Sequence, residues 1–330
     1  MNRNVSIVII GRNEGARLVR CLESVRAMVG RNSAVEIVYV DSGSTDGSIH
    51  CALHFGASVV SLTGRCSAAR ARNAGWLAAD GEWILFLDGD TVVHPGFLQA
   101  ALKHTVNPRI AAVWGHRREL HPTANFYHRV LDLDWVYAPG PSEFCGGDVL
   151  MRRTALEQTG GFDDALIAGE EPELCARLRG QGLEILHIDA PMTGHDLAIT
   201  RFSQYWKRAV RAGYAYAQLE RITRDYPQPM WHGETTRNAV RAFTLAGLLL
   251  LFPVSSILLG NWIPLALAIA LGLALLVRSA LRASWKAASS FTLLCYAMHS
   301  HFQQFPILAG QIAYRRDMVF ARRRDLIEYK

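Results

Sequence analysis

Short apolar runs alternate with amphipathic stretches in the first hundred residues, and long apolar runs dominate the last ninety. Val5-Ser6-Ile7-Val8-Ile9-Ile10 is almost unbroken and stops at Gly11, the pattern of a parallel strand covered on both faces. Leu18, Cys21, Leu22 and Val25 then recur at helical spacing within 15–28. A second strand is expected over 36–40, ending at Asp41. Helix 46–54, strand 57–62, helix 67–79 and strand 83–87 follow, and the last ends at Asp88. Strands and helices alternating at this spacing predict an α/β protein with a doubly wound sheet. Ligands of such sheets bind beyond the carboxyl ends of the strands, where Asp41 and Asp88 stand.

Past Pro95 the alternation loosens. The pattern predicts strands at 110–114 and 148–151 and a helix at 171–180. A long helix is expected over 198–222, with Arg201, Lys207, Arg208 and Arg211 beside Phe202, Tyr205, Trp206, Tyr214 and Tyr216. Such a helix either lies in a headgroup layer or packs on the domain with a solvated basic face. Residues 242–259, interrupted by Pro253, and 262–277 approach the ~20 residues that a bilayer crossing requires. They read as a helical hairpin turning at Gly260-Asn261-Trp262. The stretch 287–313 holds His299, Ser300, His301, Gln303, Gln304 and Pro306, costly groups at a bilayer centre, and reads as interfacial or re-entrant. The expected division is a catalytic domain over 1–235 and a membrane region over 236–330.

Composition refines this picture at three points. The net charge of +6 gathers around the apolar segments, at Arg278, Arg282, Lys286, Arg315-Arg316 and Arg322-Arg323-Arg324. That distribution fits anionic headgroups and a cytoplasmic face better than nucleic acid, which is not expected as a partner. The six cysteines are scattered with no C-x-x-C pair, which argues against a zinc site and a disulfide framework and fits a reducing cytosolic setting. The apolar run at the N-terminus is too short for a signal peptide. The expected location is the inner cell membrane, multi-pass, with the catalytic domain on the cytoplasmic side.

Chemistry centres on Asp88-Gly89-Asp90. Two carboxylates flanking a glycine just after a buried strand offer oxygens to one hard cation, Mg²⁺ or Mn²⁺, which commonly shares its shell with substrate phosphates. Further segments stand in a fixed order: Val40-Asp41-Ser42-Gly43-Ser44-Thr45-Asp46-Gly47, Ala69-Arg70-Ala71-Arg72-Asn73-Ala74-Gly75, Gly146-Gly147-Asp148, Gly160-Gly161-Phe162-Asp163 and Gly169-Glu170-Glu171-Pro172-Glu173. With the opening strand and Phe86-Leu87-Asp88-Gly89-Asp90, they resemble glycosyltransferase family 2, over about the first 200 residues.

That resemblance implies a mixed-sheet GT-A fold and an inverting transfer from a UDP- or GDP-sugar. It implies a metal at Asp88 and Asp90, the latter the more direct ligand, with His195 as a further one. It places Asp41 on the nucleobase, Arg70, Arg72 and Asn73 against the nucleotide, and Gly146, Gly147 and Asp148 along the donor or acceptor pocket. Glu171, with Glu170 second, takes the place of the family's general base, although the family pattern has Asp at the second position. Asp46 is expected only to cap the helix after it. Gln204-Tyr205-Trp206-Lys207-Arg208 resembles the Gln-x-x-Arg-Trp motif of processive members with Trp and Arg reversed, so no polymerase is expected. The membrane segments point to a lipid-linked acceptor hydroxyl. The alternatives are a polyprenyl-phosphate glycosyltransferase, which needs no base, a sugar-1-phosphate nucleotidyltransferase, and an inactive scaffold.

Overall fold

The computed structural model describes residues 5–30, 35–64 and 66–320; the Arg322-Arg323-Arg324 tail lies outside them. The chain forms two compact units that interleave in sequence. The first holds residues 1–120, 135–197 and 223–230, and the second holds 121–134, 198–222 and 231–330. The single division expected at 235 is therefore not how the contacts group the chain.

The first unit is built on nine strands among the described residues: β1 (Val5–Gly11), β2 (Glu36–Asp41), β3 (Ser58–Ser61), β4 (Trp83–Asp88), β5 (Thr91–Val93), β6 (Ile110–Glu119), β7 (Gly140–Ser142), β8 (Val149–Arg152) and β9 (Glu184–His195). Their order is β3-β2-β1-β4-β8-β6-β9-β5, with β7 beside β9. The first four run parallel, as the alternating pattern requires, and β8 runs antiparallel to both β4 and β6. The sheet is thus mixed. Helices α1 (Ala16–Val29), α2 (Ser48–His54), α3 (Ala68–Ala78), α4 (Phe97–Leu102), α6 (Arg153–Thr159) and α7 (Glu170–Gly180) belong to the same unit; α5, between β6 and β7, belongs to the second. Ile7, Val8, Ile9, Leu18, Leu22, Tyr39 and Phe86 are buried in one apolar core. Each large apolar side chain so buried contributes roughly 1.5–3 kcal/mol.

Four strands differ from expectation: β5 and β7, three residues each, have no counterpart in the apolar pattern, and β6 and β9 depart for a shared reason. β6 continues five residues past Trp114, and β9 has no counterpart in the apolar pattern. The pair runs parallel to Glu119 and His195, through Arg117 opposite Thr193. Their outer halves carry His, Arg, Glu and Thr where a core strand would be apolar, so hydrophobic periodicity stops while the backbone ladder continues.

The second unit contains α5 (Phe126–Asp134), α8 (Phe202–Ile222), α9 (Glu234–Leu259), α10 (Ile263–Arg282), α11 (Ser290–Phe302) and α12 (Gln304–Val319). α8 starts later than 198 because Ala198 adopts a positive φ of 52° and Gln204 accepts from the Thr200 and Arg201 amides. α9 runs through Pro253 without interruption, and it and α10 are long and apolar enough to cross a membrane by length and composition. The stretch 287–313 forms two helices broken at Gln303: Pro306 has no N–H for the Phe302 carbonyl, so α11 stops there. Gly213 of α8 and Gly310 of α12 bring two backbones together; a Cβ at Gly213 would lie 2.0 Å from the Ile307 carbonyl oxygen. Buried His299 lies 3.2 Å from the Asp134 carboxylate and 2.7 Å from the Tyr205 hydroxyl, joining α11, α5 and α8.

Candidate active site

Parallel β1, β2 and β4 deliver Gly11, Asp41 and Asp88 to one end of the sheet. Asp88 is the turning point. Its N–H donates to the Asp148 carboxylate (3.0 Å), and the Thr193 hydroxyl donates to the other Asp148 oxygen (2.8 Å). Asp148 therefore ties the ends of β4, β8 and β9 together. Burial raises its carboxyl pKa, and Arg117 pulls the other way.

Asp90 follows two residues later and is buried. His195 Nε2 lies 3.2 Å from Asp90 Oδ1, and the ligand atoms of Asp88, Asp90 and His195 lie within 4.8 Å of one another. Two carboxylates and an imidazole in that space fit a divalent ion of the Mn²⁺ or Mg²⁺ kind. His195 ends strand β9 opposite Thr91 rather than sitting in a loop, so its ring has a fixed backbone. The Trp135 indole lies 5.1 Å from that ring, centre to centre.

Arg72 lies against the acids, not on the surface. It is buried, and its guanidinium reaches Asp88 at 2.9 Å, Glu170 at 3.0 Å and Glu171 at 3.0 Å. Burial alone would lower its pKa, but Glu171, Asp88 and Glu170 together hold it above the usual value. Glu171 responds in the opposite sense. Burial, then the neighbouring Glu170, raise its carboxyl to about 7 against the attraction of Arg72. Both glutamates begin α7, where the helix dipole favours their negative charge.

The Gly146-Gly147 pair has a steric explanation. A Cβ at Gly147 would lie 2.3 Å from Arg72 Nη2 and 3.0 Å from an Asp88 oxygen; one at Gly146 would lie 3.2 Å from Arg117 Nη1. The glycines leave room for two guanidinium groups.

The other expected residues make local contacts. Asp41 accepts from the Gly43 and Ser44 amides (3.0 and 2.8 Å) and from the Tyr39 hydroxyl (3.2 Å), shaping its own loop. Asn73 donates to the Phe162 carbonyl and Asp164, and accepts from Trp76 and the Phe162 amide. Its side-chain amide fastens residues 162–164. Arg70 donates to the Thr63 carbonyl. Asp46 accepts from the Ser48 amide at the start of α2. Arg117 and Trp135 had no signal in the sequence. The Arg117 guanidinium stacks 4.5 Å from the Trp135 ring centre and stands 3.8 Å from Asp88 and 3.7 Å from Asp148. A strand assignment carried through residue 119 would have found it.

Comparisons with known proteins bear on the family and the fold. The glycosyl transferase family 2 profile matches residues 6–159, and that of glycosyl transferase family group 2 matches residues 83–283. The pre-mycofactocin glycosyltransferase of Mycobacterium tuberculosis is 28% identical over 209 residues, 59% of this chain and 43% of that protein, so the chain spans less than half of that relative's length. The glycosyltransferase AglE of Haloferax volcanii is 23% identical over 69% of this chain and 79% of its own. Among solved structures, the mannosyltransferase PcManGT of Pyrobaculum calidifontis, in complex with GDP-Man and Mn²⁺, superposes with a TM-score of 0.64 at 19% identity, covering 95% of this chain and 87% of that one. S. aureus TarS 1-349 in complex with UDP-GlcNAc gives 0.51 at 14% identity, over 95% and 92%. These likenesses show the GT-A fold, and the profile over residues 83–283, more than half of the sequence, completes the case: the chain belongs to glycosyl transferase family group 2.

Proposed function

We propose that this protein transfers a hexose, with inversion at the anomeric carbon, from a UDP- or GDP-sugar to the hydroxyl of a membrane-associated, lipid-linked acceptor. The observation that carries the reading is Arg72, which joins Asp88 to Glu170 and Glu171 within one cluster. Asp88, Asp90 and His195 would hold the Mn²⁺ or Mg²⁺ ion; when bound, the ion offsets charge on the departing nucleoside diphosphate. Asp148 fixes the Asp88 amide, and Arg72 holds the carboxylates of Asp88 and Glu171 apart and oriented. Glu171 takes the proton of the acceptor hydroxyl as that oxygen attacks. A base with a pKa near 7 is suited to neutral working conditions. Asp41 shapes the loop that meets the nucleobase.

The α9–α10 hairpin would span the inner membrane, with Arg278 and Arg282 on the cytoplasmic side. The nucleotide sugars bound by PcManGT and TarS support the donor class. A panel of UDP- and GDP-sugars with Mn²⁺, read by thermal shift and donor hydrolysis, tests it. One donor should raise the melting midpoint and be hydrolysed in a metal-dependent way. A panel without such a donor refutes the reading.

One observation favours a second reading, a polyprenyl-phosphate acceptor. Arg117 approaches carboxylates no closer than 3.7 Å, and its buried Nε has no hydrogen-bond partner. An acceptor phosphate would satisfy it. Glu171→Gln with most turnover retained, and Arg117→Ala with a raised acceptor KM, would select this reading.

A further inference from the structure

The face of α11 directed away from its neighbours is apolar. Phe291, Leu294, Met298 and Phe302 are 65%, 44%, 48% and 41% exposed, while Leu293, Cys295, Ala297 and His299 are buried. At about 100° per residue the four exposed side chains fall within roughly 80° of arc, one unbroken stripe. Aromatic rings from α8 extend it: Phe302 lies 6.0 Å from Phe202 and 6.2 Å from Trp206. Arg201, just before α8, and Lys207 within it are exposed and adjacent in sequence to Phe202 and Trp206. A stripe of this kind facing water is unfavourable by the ordinary cost of hydrating apolar surface.

We propose that α11 lies along an anionic phospholipid surface, with Phe291, Leu294, Met298 and Phe302 sunk into the headgroup and upper acyl layer. The inference rests on the membrane reading given above and adds a second, in-plane element to the hairpin. Three observations select lipid as the occupant. The stripe is continuous with the hairpin, since a single short turn with exposed Trp285 separates α11 from α10, and the Ser279 hydroxyl pairs with His301 at 2.9 Å. Basic residues flank the aromatic end, which complements anionic headgroups. Finally, α11 has 13 residues, about 20 Å of helix, too short for a hydrocarbon core of about 30 Å. With its other face packed on protein and one apolar stripe open, such a helix suits a position in the interface.

Single cysteines test the placement: Phe291→Cys, Leu294→Cys, Met298→Cys and Phe302→Cys, in a chain whose partly exposed Cys51 and Cys66 are serine. Each carries a bimane label in nanodiscs of phosphatidylcholine and phosphatidylglycerol. Lipid-borne doxyl groups and aqueous iodide are the two quenchers, with Leu267→Cys on α10 and Lys103→Cys just after α4 as lipid and water references. Doxyl quenching several-fold above iodide quenching at all four α11 positions is expected. Iodide quenching at α11 with doxyl quenching retained at Leu267→Cys overturns the inference and leaves the hairpin intact. Protection from both quenchers at α11 means a protein surface covers the stripe, which also overturns it. Iodide quenching at Leu267→Cys overturns the membrane reading itself.

Discussion

Replacing Arg72 by Met separates a structural cation from a nucleotide ligand. The guanidinium is buried and holds three carboxylates at 2.9–3.0 Å. Removing one partner from a buried ion pair costs about 3–5 kcal/mol, because the remaining charge stays desolvated. Here three acids lose the same cation, but Glu171 can take up a proton, which limits the loss to that range. At roughly 2–4 °C per kcal/mol, the melting midpoint of the detergent-solubilised chain should fall by roughly 6–20 °C. Arg72→Lys retains the charge but replaces a planar fork with a point, and should recover about half of the loss. A second readout is the acid limb of the pH–rate profile, which should move to higher pH in Arg72→Lys, where Glu171 is less well compensated. An unchanged midpoint in Arg72→Met, with only the donor Kd weakened, would refute the reasoning and make Arg72 a direct nucleotide contact.

Three other outcomes are expected. His195→Ala and Asp90→Asn should each weaken Mn²⁺ binding by about 10-fold or more, measured by calorimetry, with the fold retained by circular dichroism. The transfer rate should fall as pH drops below about 7, where Glu171 takes up its proton, and Glu171→Gln should abolish that limb along with most turnover. The stability sign is opposite: a raised folded pKa makes Glu171 stabilising in acid, and that contribution is lost as pH rises through about 7. Gly310→Leu should unfold or loosen the helical unit by about 3 kcal/mol or more, since even a Cβ would stand 2.1 Å from the Val210 carbonyl oxygen. Thermal denaturation in detergent measures this.

The parallel half of the fold was legible because its strands are covered on both faces and so read as apolar runs. Residues 5–10, 36–40 and 83–87 became β1, β2 and β4 within a residue or so at either end. β9 was not legible, since Asp189, Pro191, Thr193 and His195 break any alternation while the backbone still pairs with β6. For the site, sequence order marked which segments converge but not what each side chain does there. Arg72 and Asn73 are neighbours in one helix, yet the first faces the acids and the second fastens a loop. Arg117 was missed because its strand looked finished at Trp114. A contact between segments far apart in sequence leaves no local periodicity.

The interleaving of the two units constrains any attempt to isolate the catalytic part. The chain alternates between them over six segments, so a stop codon near residue 235 would not release a self-sufficient enzyme. It would delete α11 and α12 while keeping α5 and α8. Asp134 and Tyr205 would lose His299, and Gly213 would face solvent in place of the Ile307 backbone. Such a truncation should aggregate on expression. Detergent or nanodisc preparation of the full chain is the practical route to the enzyme.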